Sequence, residues 1–255
     1  MKKYKEPYYL VEFNSSICNF EIFINDLPAF IHNTGGIISS HYPINHLILE
    51  SGKQIISVRI LPLKGETSLR KDSFLKIKVF FFDAFTNDYS NSIEVFQYNN
   101  TDLDGDIPLI EISEFFFAEV PYALSGWGNS EEIKDCDMEL ISFYKHLYKS
   151  FEGRDVEKIY QIFRTKFNEI NTAMYLDDSD DKKDLTKLFK QIDEGEMKLQ
   201  PFPLNPLVIL YNNKVGNVIR ENREPVIYYK NNKTNEEFAF PVFVNMNDGD
   251  ISVIR

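Results

Sequence analysis

The chain has 255 residues, a formal net charge of −11 and 43% hydrophobic residues, with 11 Gly and 11 Pro. That composition excludes a disordered or collagen-like chain, and the length allows one large domain or two ordinary ones. The acidic balance argues against a role built on tight binding to nucleic acid or an anionic membrane, since both reward clusters of Lys and Arg.

From about Tyr8 to Val120 the pattern is short β-type runs between turn signals. Tyr9–Phe13 comes first. Phe20, Ile22 and Ile24 alternate with Glu21, Phe23 and Asn25, and Asn25-Asp26 supplies a turn. Ile56, Val58 and Ile60 share one face, as do Leu75, Ile77, Val79 and Phe81, with Lys76 and Lys78 turned away. Runs over 93–97 and 109–120 bring the expected number to about seven or eight strands, spaced as in an antiparallel β-sandwich.

After Trp127 the period changes. Leu140/Ile141, Tyr144, Leu147/Tyr148 and Phe151 recur at helical spacing, and Gly153 stops that helix. Asp155 stands as N-cap of a second helix with the stripe Val156, Ile159/Tyr160, Phe163, Phe167, Ile170 and Met174. The acidic run 177–181 suits a solvated loop leading into a third helix with Leu185, Leu188/Phe189 and Ile192 inward. Strands return after Pro203, at 207–211, 218–221, 226–229, 238–244 and 251–254, with hairpin turns at 231–233 and 247–249. The expected fold class is therefore two domains. Residues 1–122 form an antiparallel β-sandwich, 123–132 a linker, and 133–255 an α+β domain of three helices followed by a four- or five-stranded antiparallel sheet.

Two stretches carry fold-level resemblances. The order Ile24-Asn25-Asp26-Leu27-Pro28, then Pro43-Ile44-Asn45, then Ser51-Gly52-Lys53-Gln54-Ile55-Ile56-Ser57-Val58-Arg59 resembles the jelly-roll of galactose-binding-like and carbohydrate-binding modules. Gly153-Arg154-Asp155-Val156, opening a helix ahead of a sheet, resembles the NTF2-like or cystatin-like cone, although no early strand interrupts the helices here. What these imply is fold, with no functional motif to transfer.

Motifs for chemistry are sparse. The four histidines, His32, His41, His46 and His146, lack zinc-ligand spacing, so no metal site is expected. Asp102, Asp104 and Asp106 alternate as in a calcium loop, but Gly105 falls out of the EF-hand register, and an acidic turn is the competing reading. Neither a Gly-x-Ser-x-Gly elbow nor a phosphate loop is present, so no catalytic residue and no cofactor is assigned. Cys18 and Cys136 read as buried thiols, with one long-range disulfide as the alternative.

Aromatic residues remain. Phe80-Phe81-Phe82 and Phe115-Phe116-Phe117 place rings on both faces of a strand, so one face of each must meet a second domain, a partner chain or a ligand. Trp127, Tyr122, Tyr211, Tyr228 and Tyr229 are the candidate binding residues. Trp127 sits between glycines at the change of period, and Tyr211, Tyr228 and Tyr229 would line the mouth of a cone-like sheet.

The expected function is non-catalytic binding that sequesters or neutralises a protein partner, in the manner of a bacterial immunity or inhibitor protein. An acidic surface would favour a basic partner. Carbohydrate binding or a cell-envelope role is the alternative, and a small-molecule enzyme using a pocket in the second domain is a further one. No nucleic-acid partner and no membrane span is expected, because no run of apolar residues is long enough. The basic opening 1–7 has no apolar stretch behind it, which favours a cytoplasmic location. The alternative is a periplasmic or envelope-attached protein whose leader has been removed.

Overall fold

The computed structural model describes residues 4–86, 88–100, 103–176 and 180–255. It is a β-rich α+β protein whose antiparallel strands form four sheets, with three helices among the described residues. The chain divides into two compact units, Met1–Leu124 with Ala173–Tyr175, and Ser125–Thr172 with Leu176–Arg255.

Among the described residues the first unit holds eight strands: β1 (Pro7–Ser16), β2 (Asn19–Ile24), β3 (Leu27–His32), β4 (Ile37–Pro43), β5 (Gly52–Leu61), β6 (Phe74–Asp83), β7 (Ile93–Asn100) and β8 (Ile110–Ala118). They pair as two four-stranded sheets, β4-β1-β6-β7 and β3-β2-β5-β8. Alternation decides which side chains turn inward. Phe20, Ile22 and Ile24 of β2, Ile56, Val58 and Ile60 of β5, and Leu75, Ile77 and Val79 of β6 are all buried. Rings on the two sheets touch, with Phe13 of β1 4.2 Å from Phe30 of β3 and 5.5 Å from Phe20 of β2. Asn25 and Asp26, at φ 49° and 72°, make the left-handed turn that a two-residue hairpin between β2 and β3 requires.

Two strands have no counterpart in the sequence reading. β3 interrupts its alternation at Pro28. β4 carries Ser39, Ser40 and His41, is mostly exposed, and is held by backbone pairing along β1, so no apolar period marks it. A 3₁₀ turn over Asn45–Leu47 lies between β4 and β5.

The second unit begins with α1 (Asp137–Glu152), α2 (Val156–Ala173) and α3 (Asp181–Glu194). Asp155 caps α2, its carboxylate accepting from the Lys158 amide at 3.0 Å, and Asp180 caps α3 through the Lys183 amide at 3.1 Å. Residues 177–179 of the acidic run lie outside the described residues. Seven short strands follow: β9 (Lys198–Leu199), β10 (Leu207–Tyr211), β11 (Val215–Ile219), β12 (Ile227–Lys230), β13 (Glu237–Phe240), β14 (Val244–Asn247) and β15 (Asp250–Val253).

These strands do not form the single sheet expected. They make a four-stranded sheet, β10-β11-β14-β15, and a three-stranded one, β13-β12-β9. The run over 238–244 breaks at Pro241, which has no amide to donate, and its two halves join different sheets. One core joins helices and strands, with Leu140, Tyr144, Phe151, Ile159, Phe163 and Phe189 among its members beside Val218, Ile227, Val244 and Val253. Close approach of β11 to α1 depends on Gly216, where a Cβ would lie 3.1 Å from Leu140 Cδ1. Among the described residues no helix is long and apolar enough to cross a membrane.

Candidate functional site

The residues singled out by sequence are mostly engaged in packing. Trp127 is buried in the second unit with the Arg255 guanidinium 5.2 Å from its ring. In the first unit, Tyr122 donates to the Asn45 carbonyl at 3.0 Å. Tyr211 on β10 packs 5.6 Å from Phe243. Tyr228 and Tyr229 are consecutive on β12, so they point to opposite faces, and both are buried. Burial, and then the nearby Glu237, push the Tyr228 hydroxyl up to about 12. Tyr229 donates to the Phe151 carbonyl at 3.3 Å from within the core. Within the second unit, Tyr228 and Tyr229 on opposite faces of β12 do not line one common mouth.

The metal candidates are likewise occupied. Asp102 lies outside the described residues. Asp104 pairs with the Lys71 ammonium at 3.4 Å, beside an open cleft of about 740 Å³ between the 65–71 and 104–106 loops. Among the described residues no group of three His, Cys, Asp or Glu is placed to hold a metal ion. His32 is buried with Nε2 2.9 Å from the Gly35 carbonyl, and His146 sits against the Ser142 carbonyl of its own helix. Cys18 and Cys136 are both free thiols, and burial raises the Cys18 thiol to about 11.

A different group stands out once burial is known. The Phe80–Phe82 strand is covered on its outer side by Tyr89, whose ring lies 5.7 Å from Phe80 and 5.2 Å from Phe82. The Phe115–Phe117 strand has no such cover. Phe116 is buried, whereas Phe115 and Phe117 are 48% and 65% exposed.

Register assembles the neighbours of these two rings. β5 runs antiparallel to β8 with Lys53 opposite Phe117, Ile55 opposite Phe115 and Arg59 opposite Glu111. Ile55 is also exposed, so three large apolar side chains share one end of the outer face. Lys53 Nζ lies 4.3 Å over the Phe115 ring. At the other end Arg59 bonds Glu111 at 2.7 Å and lies 3.7 Å from Glu21, so the charges there are matched internally.

Two details define what this face could accept. The Phe115 and Phe117 rings are 5.8 Å apart and 84° from coplanar, an edge-to-face contact that leaves no flat platform. β8 also ends its sheet in the strand order, so half its backbone donors and acceptors point away from β5 with no strand paired to them among the described residues. Glu114 on β8 and Glu119 just past its end are exposed. The alternating Phe residues were visible in sequence; which pair lacked a cover was not, because the fold-back of Tyr89 from the turn after β6 has no local pattern to announce it.

Comparison with protein-family models, with curated proteins and with solved structures returns no match for this chain.

Proposed function

We propose that the chain is a non-catalytic binding protein that captures a protein partner on β8. The reading takes the first unit as a β-sandwich over 1–122, followed by a linker at 123–132 and an α+β domain over 133–255. The observation that carries it is the uncovered Phe115–Phe117 pair on an open edge strand. The occupant proposed is an extended segment of another protein. It adds a strand to the β8 edge through main-chain hydrogen bonds and lays an apolar side chain against the two exposed rings. Glu114 and Glu119 favour a segment with basic residues around that apolar one. A sugar ring would stack better on coplanar aromatics, so the perpendicular rings favour a side chain over a carbohydrate.

The test is photo-crosslinking from position 117 on the intact chain, with the exposed Met138 position of the second unit as control. Support requires a protein adduct at 117 that is absent at 138 and is lost in the Phe115→Ser variant. Adducts that persist in that variant, or appear equally at both positions, contradict the proposal.

A further inference from the structure

Strand parity sorts the residues of β8 between its two sides. Ile110, Ile112, Glu114 and Phe116 lie opposite Ile60, Val58, Ile56 and Gln54 of β5, and those four β5 residues are buried. The even-numbered residues of β8 therefore face the interior of the first unit, whereas Glu111, Ser113, Phe115 and Phe117 face outward. Phe116 is buried and Ile112 half-buried, but Glu114 between them is exposed. Glu114 is thus a carboxylate on the core-facing side of an edge strand. Glu111 on the outer side has Arg59 at 2.7 Å, while Glu114 has no ion-pair or hydrogen-bond partner among the described residues. Lys53, opposite Phe117, is turned to the outer side.

A strand added at this edge would lay its own backbone and one side chain against Glu114 and displace the water around it. Removing water from a charge is unfavourable unless an opposite charge takes its place. Inward-pointing charges guard edge strands against indiscriminate pairing for this reason. On β8 the guard stands one residue from Phe115, so the same edge attracts with exposed rings and selects with a carboxylate.

We infer that Glu114 selects the partner of β8 by requiring a Lys or Arg directly opposite it, on the inward side of the added strand. This rests on the reading of β8 as a docking edge and specifies the segment that edge takes. Residues opposite Phe115 and Phe117 fall on the outer side, where apolar groups meet the rings. An antiparallel segment then reads apolar, any residue, apolar, basic, in the order that pairs with Phe117, Phe116, Phe115 and Glu114. A parallel segment reads the reverse. Its apolar and basic side chains therefore point to opposite sides of the added strand. A second copy of β8 does not meet the requirement, because Ile110–Ala118 holds Glu111 and Glu114 and no Lys or Arg.

The experiment is fluorescence anisotropy with the full chain and short labelled peptides. Each peptide carries Leu-Thr-Leu in a threonine background, flanked on both sides by Lys, by Thr or by Glu. A fourth carries its lysines one place further out, where they face the outer side in either strand direction. The Lys-flanked peptide should bind with a Kd about tenfold below that of the Thr-flanked one, and the Glu-flanked peptide should bind weakest. The displaced-Lys peptide should match the Thr-flanked one. Glu114→Lys should reverse the order of the Lys and Glu peptides, Glu114→Thr should erase it, and Phe115→Ser should abolish binding of all four. A Lys preference that survives Glu114→Thr, or is shared by the displaced-Lys peptide, comes from the overall acidity of the chain and overturns the inference. Failure of every peptide to bind overturns it too, and crosslinking from position 117 then decides the β8 reading by itself. Binding lost in Phe115→Ser but indifferent to both Glu114 variants sinks this inference alone, whereas binding unchanged in Phe115→Ser contradicts the β8 reading.

Discussion

The two units differ in where they place charge. In the first, eight strands of up to ten residues surround an interior of Phe, Ile, Leu and Val, and the ion pairs Arg59–Glu111 and Arg70–Glu66 stay on the surface. Apolar side chains there are instead left outside, at Phe115, Phe117 and Ile55. In the second, strands run to five residues at most, and Glu169 and Arg255 are buried together with Asn217, Asn231 and Asn245. The first unit also buries neutral polar side chains, among them Asn45, Gln54 and Asn100, but no Asp, Glu, Lys or Arg among the described residues. Short strands and irregular connections leave carbonyls and amides that buried side chains must meet, as Asn245 meets Gly126 and Asn231 meets Gly195 at 2.7 Å. What sets the second unit apart is its buried ion pair, Glu169 with Arg255.

The largest expected effect tests that contrast directly. Glu169→Ala leaves the Arg255 guanidinium buried without its carboxylate and should cost about 3–5 kcal/mol in denaturant unfolding. The exposed counterpart Arg59→Ala should cost no more than about 1 kcal/mol. Equal losses would break the comparison. Tyr144→Phe comes next. The Tyr144 hydroxyl donates to the Val242 carbonyl at 2.5 Å in the buried core, and its removal should cost about 1–3 kcal/mol.

A pH effect is confined to the second unit. Lys166 is held between the Phe163 and Phe240 rings, at 5.3 and 4.8 Å, with its Nζ donating to the Pro241 carbonyl at 3.0 Å. Burial, and then the Arg255 charge, lower its ammonium from 10.5 to about 7. Between those values the unfolded chain binds a proton that the native chain does not, so this group's contribution to stability rises as pH climbs from about 7 toward 10.5. Below pH 7 its full penalty is present. Denaturation midpoints at pH 6.5 and 9 should show the rise in the native chain and a flatter profile in Lys166→Met, beyond what other groups contribute.

The smallest effect belongs to the first unit. Phe117→Ser should change stability by no more than about 0.5 kcal/mol, because the ring is exposed. A larger loss would mean that the ring is structural.

Much of the fold was legible because it rests on local period. Alternation along β2, β5 and β6 and the Ile159–Phe163 stripe of α2 match the buried residues observed. Asp155 was readable as a cap because its partner is three residues away. What was not legible depends on distant partners. β4 is a polar edge strand recognisable only through β1. Separation of the second unit's strands into two sheets follows from Pro241 together with the pairing of β9 to β12, which no local pattern announces. Glu169 and Arg255 stand 86 residues apart, so neither one signals the other. Tyr228 and Tyr229 suggested a lined mouth, yet adjacency on one strand sends them to opposite faces.

The central claim is that β8 is a docking edge, and amide hydrogen exchange of the chain with and without its crosslinked partner tests it most directly. The account predicts added protection within Ile110–Ala118, at alternate amides that face away from β5, with β4 unchanged. Protection absent from β8, or confined to another edge, would contradict it.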